Sequence, residues 1–256
     1  MNTPPSPDQP AGSTTGEAAA DEFAARLSPD GKPELLPEGL FDHMRADPLH
    51  APEYLALAAV EQFGPEAQEW IADFRREFPY VTPRHLASVT RKRFVRMSSL
   101  SGAVAGVAGA VGAVLDFGVL AWNQARMVIY LATIFGEDPT SRDRAAELLM
   151  LQNVHKVMNT AQTALDVAAR RADPTDLLKH STTVQNSEGS LLTLATTLAK
   201  MVGMKLARKG LMKLIPFASV PLGAIANASS SGDLADRAIA MYAHRQEHGR
   251  PQLPPA

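Results

Sequence analysis

Cysteine is absent from the chain. That excludes disulfides, thiolate metal sites and a cysteine nucleophile, and it fits a reducing compartment. Aromatic residues make up only 6%. Phe94 alone interleaves a basic cluster and Phe217 merely follows another, which argues against a nucleic-acid surface. Net charge is −2, so no global field pulls the molecule towards nucleic acid or membrane. Alternating strand patterns between hairpin turns are missing. The first residues, MNTPPSPDQPAGSTTGEAAADE, have neither a basic n-region nor an apolar h-region, so cytoplasmic residence is the expectation.

Catalytic signatures are missing too. There is no HExxH, no G-x-S-x-G elbow and no P-loop. None of the seven histidines (His43, His50, His85, His155, His180, His244 and His248) stands with acids at metal-ligand spacing. His244 and His248 share a helix face at i, i+4 near a chain end. GVAGAVG (106–112) lacks the preceding strand that would make its glycines a phosphate cradle. The sequence therefore implies no cofactor, no metal and no catalytic residue.

What is present is an uneven distribution of charge around one uncharged run. Residues 1–40 carry seven acids against Arg26 and Lys32, whereas 84–96 hold five Lys/Arg and no acid. Arg91, Lys92, Arg93 and Arg96 stand directly before MSSLSGAVAGVAGAVGAVL (97–115), nineteen residues without a charge. A helix needs roughly 20 apolar residues to cross a bilayer. This run has the length but offers Gly, Ala, Ser and Val in place of Leu, Ile and Phe. Gly102, Gly106, Gly109 and Gly112 recur at helical spacing, with Ala105, Gly109 and Ala113 as a second small-residue row. Such rows let a neighbouring backbone approach closely, and each interior glycine costs about 1 kcal/mol of helix propensity. Three readings follow: a spanning helix, a tightly packed helix inside a bundle, or a peripheral segment on a bilayer with its cations on anionic lipid. A second basic segment precedes a second apolar stretch. Lys205, Lys209 and Lys213, with Arg208 beside them, come before IPFASVPLGAIANA (215–228). A basic amphipathic helix reads as a membrane-surface or partner-binding element, or as a solvated face over an ordinary core stripe.

From Pro52 onward nearly everything reads helical. The spacing predicts helices over Glu53–Phe63, Pro65–Phe78, from Thr82-Pro83 through the basic cluster, Phe117–Phe135 stopping at Gly136, Ser141 or Thr140 to about Arg171, a short one from Asp173-Pro174, Ser187–Leu214 and Asp233–Glu247. The expected fold is all-α: one multi-helix bundle with a Gly/Ala-rich central helix. Residues 1–45 are expected as a disordered acidic tail or linker with at most one docked segment near 17–27. Residues 46–247 then form the helical domain and 248–256 a disordered end. On the helix after the run, Asp116, Asn123, Arg126 and Tyr130 fall within an arc of roughly 80°. They read either as a polar cleft for a small ligand or lipid head group, or as a network fixing helix register.

At these residues the chain resembles the EcsC family, bacterial proteins named after a gene beside an ABC transporter. SGAVAGVAGAVGAVLDFGVLAWNQARMVIYLATIFGED (101–138) carries the first block, with Asp116, Gln124, Arg126, Ala132 and Gly136 at matching positions. KGLMKLIPFASVPLGAIANASSSGDLADRAIAMY (209–242) carries the second, with Lys213, Pro216, Gly223 and Asn227. It departs from the pattern in having an extra proline, Pro221. The resemblance spans about 50–247. It implies a helical, membrane-associated cytoplasmic protein without an established reaction.

Two functions are thus open. One is a non-enzymatic, membrane-peripheral or transporter-associated helical protein at the inner face of the plasma membrane. Its contacts would be Arg91, Lys92, Arg93, Arg96, Lys205, Arg208, Lys209 and Lys213, and its partner an anionic membrane surface or an integral membrane transporter. The other is a soluble ligand-binding protein or enzyme using Asp116, Asn123, Gln124, Arg126 and Tyr130. Nucleic acid is not an expected partner, and the oligomeric state is open.

Overall fold

The computed structural model describes residues 12–101, 109–178, 188–203 and 220–249. Among them the secondary structure is all helical: α1 (Gly12–Ala25), α2 (Glu38–Ala46), α3 (Ala51–Glu77), α4 (Pro83–Ser101), α5 (Gly109–Ile134), α6 (Asp143–Leu151), α7 (Met158–Arg171), α8 (Pro174–Leu177), α9 (Glu188–Met201) and α10 (Val220–His248). The bundle is built around α5, which packs against α3, α4, α9 and α10. Ala121, Trp122, Ala125 and the stretch Met127–Ile129 on α5 have essentially no exposure. Alanines at 51, 56, 58 and 59 on α3 are likewise fully buried and keep the helices close. None of the described helices is long and apolar enough to cross a membrane. Residues 102–108 of the uncharged run lie outside the described residues, as do 1–11, 179–187, 204–219 and 250–256.

Several helix boundaries follow local chemistry. Thr82 accepts a hydrogen bond from the His85 amide through Oγ1, 3.3 Å, and Pro83 opens α4. Asp173 caps α8 the same way through Thr175 N, 2.9 Å. Gly136, with φ +89°, ends the turn after α5 in a conformation that glycine adopts freely.

Other boundaries differ from the sequence expectation, for identifiable reasons. The two helices expected on either side of Pro65 are one, Ala51–Glu77. Proline removes one helical hydrogen bond, but Glu61 and Pro65 both lie on an exposed side of the helix. The single helix expected from 141 to 171 is two. Asn153 takes φ 58°, and the amides of Asn153 and Val154 turn back to the carbonyls of Met150 and Leu149. Asparagine tolerates this left-handed geometry better than most residues. Of the helix expected over Ser187–Leu214, the described part is Glu188–Met201, before Gly203 at φ +78°, and 204–214 lie outside the described residues. The last helix starts at Val220, earlier than Asp233.

The largest difference is at the N-terminal side. From residue 12 onward the segment expected as a tail carries α1 and α2 and contributes to the core. Ala20, Phe23, Ala24, Leu27, Leu36, Leu40 and Met44 are all buried. Phe23 sits among Trp70, Phe74 and Phe78, with ring centroids 5.3, 5.0 and 6.0 Å away. Low apolar content in 1–16 is genuine, but a few large side chains in 20–44 suffice to dock the rest.

Candidate functional site

Asn123 and Arg126 are one turn apart on α5, and both face the chain's own residues 27–36. The Asn123 side chain grips the backbone of Glu34 from both sides. Its Oδ1 accepts from Glu34 N at 2.9 Å, and its Nδ2 donates to Glu34 O at 2.7 Å and to Val119 O at 2.8 Å. Arg126 donates to the carbonyl of Leu27 at 3.0 Å and pairs with the Glu34 carboxylate at 3.0 Å. Glu66 lies 3.9 Å from the same guanidinium, which is sandwiched over Phe63 and Tyr130, each ring centroid 5.4 Å away. Gln62 completes the set by donating to Glu34 Oε1 at 2.9 Å. Burial raises the Glu34 and Glu66 carboxyls above the usual range while the Arg126 charge opposes it. Burial also raises the Tyr130 phenol.

Residues 28–37 thus form a strap across α5. Leu36 seats on Gly118, where an added Cβ would meet its Cδ2 at 2.8 Å. A larger residue there would make the end of the Leu36 side chain shift.

Gln124, adjacent in sequence, points to the other side of α5 and joins a separate buried network. Its Nε2 donates to Ser230 and Ser231 hydroxyls, both at 3.2 Å, and its Oε1 accepts from Gln152 at 3.3 Å. Ser231 passes the chain on to Ser98 at 2.8 Å. These contacts tie α4, α5, α10 and the end of α6 together in a region otherwise packed with apolar side chains, where unpaired polar groups are costly.

Asp116 is not brought together with Asn123, Arg126 or Tyr130 by any hydrogen bond or ion pair among the described residues. Its Oδ2 is buried without a partner there. Burial alone pushes its carboxyl up to about 6.

The basic cluster divides. Arg91 forms a two-pronged pair with Asp236 of α10, both contacts 2.7 Å. Arg93 donates to the carbonyls of Ser28 and Ala25 at the end of α1. Lys92 and Arg96 are exposed one turn apart on α4. Lys205, Arg208, Lys209 and Lys213 lie outside the described residues.

Sequence reasoning missed the most buried charges. Arg144, 1% exposed, pairs with Glu137 and Glu147, each at 2.9 Å. Glu147 also accepts from the Tyr242 hydroxyl at 3.0 Å and from Arg245. Burial pushes the Tyr242 phenol well above its ordinary value. The i, i+3 spacing of Arg144 and Glu147 was the only local sign. A second cluster gathers at the start of α3. Asp47 accepts from Tyr54 and Arg171 and contacts His50, at 3.1, 2.8 and 3.0 Å. Burial, reinforced by Asp47, pushes Tyr54 up to about 12. Beside it, Glu53 and His155 are 2.7 Å apart. Among the described residues no group of three His, Asp or Glu is placed to hold a metal ion.

Compared with known proteins, residues 76–246 match the family model described as the EcsC protein family. No curated protein and no solved structure matches the chain. The matched residues take in α4 to α10 apart from the last two positions, and leave α1, α2 and nearly all of α3 outside.

Proposed function

The chain belongs to the EcsC protein family, and from that premise we propose that it is a non-enzymatic, membrane-peripheral protein of the cytoplasmic face, bound to anionic lipid. The observation that carries the proposal is the outer edge of α4. Lys92 and Arg96 are exposed at i, i+4 and make no ion pair among the described residues. Their helix leads directly into the uncharged run, in which Met97, Ser98 and Val114 are buried and Leu115 at the far end is 38% exposed. Cations beside an apolar segment suit a surface that is anionic outside and apolar within. Each Lys or Arg near such a surface contributes about 1 kcal/mol.

The alternative of a ligand site on α5 has less support. Asn123 and the two terminal nitrogens of Arg126 are already engaged by residues 27–36, while Arg126 Nε has no partner among the described residues. Attachment to an integral transporter would instead require a membrane protein for binding.

The test is charge reversal, Lys92→Glu with Arg96→Glu. Both sites are exposed, so the thermal transition should stay within a few degrees of the parent. Affinity for vesicles of phosphatidylcholine and phosphatidylglycerol should fall about thirtyfold or more. Unchanged affinity would remove this edge as the contact.

A further inference from the structure

The acidic N-terminal segment lies on the basic helix. α1 packs along α4, and the end of α1 is held by two guanidiniums that come from different helices. Arg93 of α4 donates to the carbonyls of Ala25 and Ser28, and Arg126 of α5 donates to the carbonyl of Leu27 between them. The C-terminal end of a helix carries partial negative charge. Together with the Glu34 carboxylate on Arg126, the segment therefore presents anionic groups to a pair of convergent cations. Its apolar anchor is Phe23, which sits on a shelf of Trp70, Phe74 and Phe78, with Tyr130 behind Trp70 at 5.4 Å. Asp21 and Glu22 remain exposed on its outer side.

Three properties make this segment displaceable. α1 is a 14-residue helix opening with Gly-Ser-Thr-Thr-Gly, and isolated helices of about 12–15 residues are marginal in water, so docking alone holds it. Beside the apolar burial of Ala20, Phe23, Ala24, Leu27 and Leu36, its carbonyls are held by Arg93 and Arg126, and a competing anion can replace those polar contacts. The site beneath is continuous with the outer edge of α4, because Arg93 is adjacent to Lys92 and three residues from Arg96.

We propose that residues 12–37 are an autoinhibitory arm, occupying a site for an anionic phospholipid surface that the two arginines and the aromatic shelf would otherwise form. The inference rests on the membrane reading above and deepens it. Release of the arm exposes Arg93 and Arg126 beside Lys92 and Arg96, and uncovers amphipathic aromatic rings suited to a lipid interface. The arm thereby sets how much of the chain's basic surface meets the membrane.

The absence of cysteine allows a clean test. Arg26, on the turn after α1, and Glu77, at the end of α3, form an exposed pair at 3.0 and 3.1 Å and take no part in the proposed lipid site. In the full chain carrying Arg26→Cys and Glu77→Cys, a short bismaleimide bridges the two thiols and locks the arm. Flotation with phosphatidylcholine–phosphatidylglycerol vesicles then compares locked and unlocked protein, with melting curves confirming that both are folded. The unlocked form should bind about thirtyfold more tightly, the worth of two further cations at an anionic surface. Equal or tighter binding by the locked form overturns the arm and leaves membrane binding standing. If neither form binds, and the parent chain also fails to float, the membrane reading itself is overturned, and the arm with it.

Discussion

Arg126 shows that a cation in an apolar helix can find its partners within the chain itself. Its side chain is only 11% exposed, and a buried cation without partners is far too costly to persist. On sequence alone, a lone arginine in an apolar helix signals that partners exist but not whether they are a ligand or the chain itself. Here the partners are Glu34 and, 99 residues upstream, the Leu27 carbonyl, in a stretch whose composition resembles a tail. Asp116 is the contrasting case, an acid with a buried oxygen that no described residue satisfies. Its folded-state carboxyl lies near 6 against an ordinary 3.8. The native state therefore binds this proton more tightly than the unfolded chain does, so its stabilising contribution is full below about 3.8 and is lost as pH rises through 6. Asp116→Asn should raise stability at pH 8, with the gain shrinking as pH falls from 6 towards 4. Urea titrations of both proteins across that range check it; a gain independent of pH would show that the carboxyl is not desolvated.

At the scale of elements, stops and starts with a local cause were legible. Thr82-Pro83, Asp173-Pro174 and Gly136 act through groups within a few residues of themselves. Boundaries with a tertiary cause were not. The apolar rhythm of 148–165 continues through the α6–α7 break. The break exists because Asn153 turns left-handed while Gln152 reaches Gln124 on α5. Pro65 fails to end α3 because its side of the helix faces solvent, which sequence spacing does not reveal. Substituting Asn153→Val should cost about 1–2 kcal/mol, the strain of a β-branched residue at positive φ, whereas Asn153→Gly should be near neutral. Thermal melts of the two variants distinguish them. Equal losses would place the cost in a lost side-chain contact instead.

For the whole molecule, the all-helical class and the family block were readable from periodicity and motif, while the arrangement of charge was not. Much of the basic cluster that looked like one patch is paired within the chain: Arg91 ties α4 to α10 through Asp236 at the surface, and Arg93 holds α1. The densest charge cluster, Arg144 with Glu137, Glu147 and Arg245, is spent on joining α6 to α10. Lys92 and Arg96 remain as the outward edge of α4, at the entry to the uncharged run. This edge is where the chain is proposed to meet anionic lipid. The most direct measurement is flotation of the full chain with phosphatidylcholine vesicles with and without phosphatidylglycerol, at low and high salt. Co-flotation with the anionic vesicles alone, lost as salt screens the surface, is the predicted result. Protein that stays at the bottom of the gradient with both vesicles at low salt would contradict it.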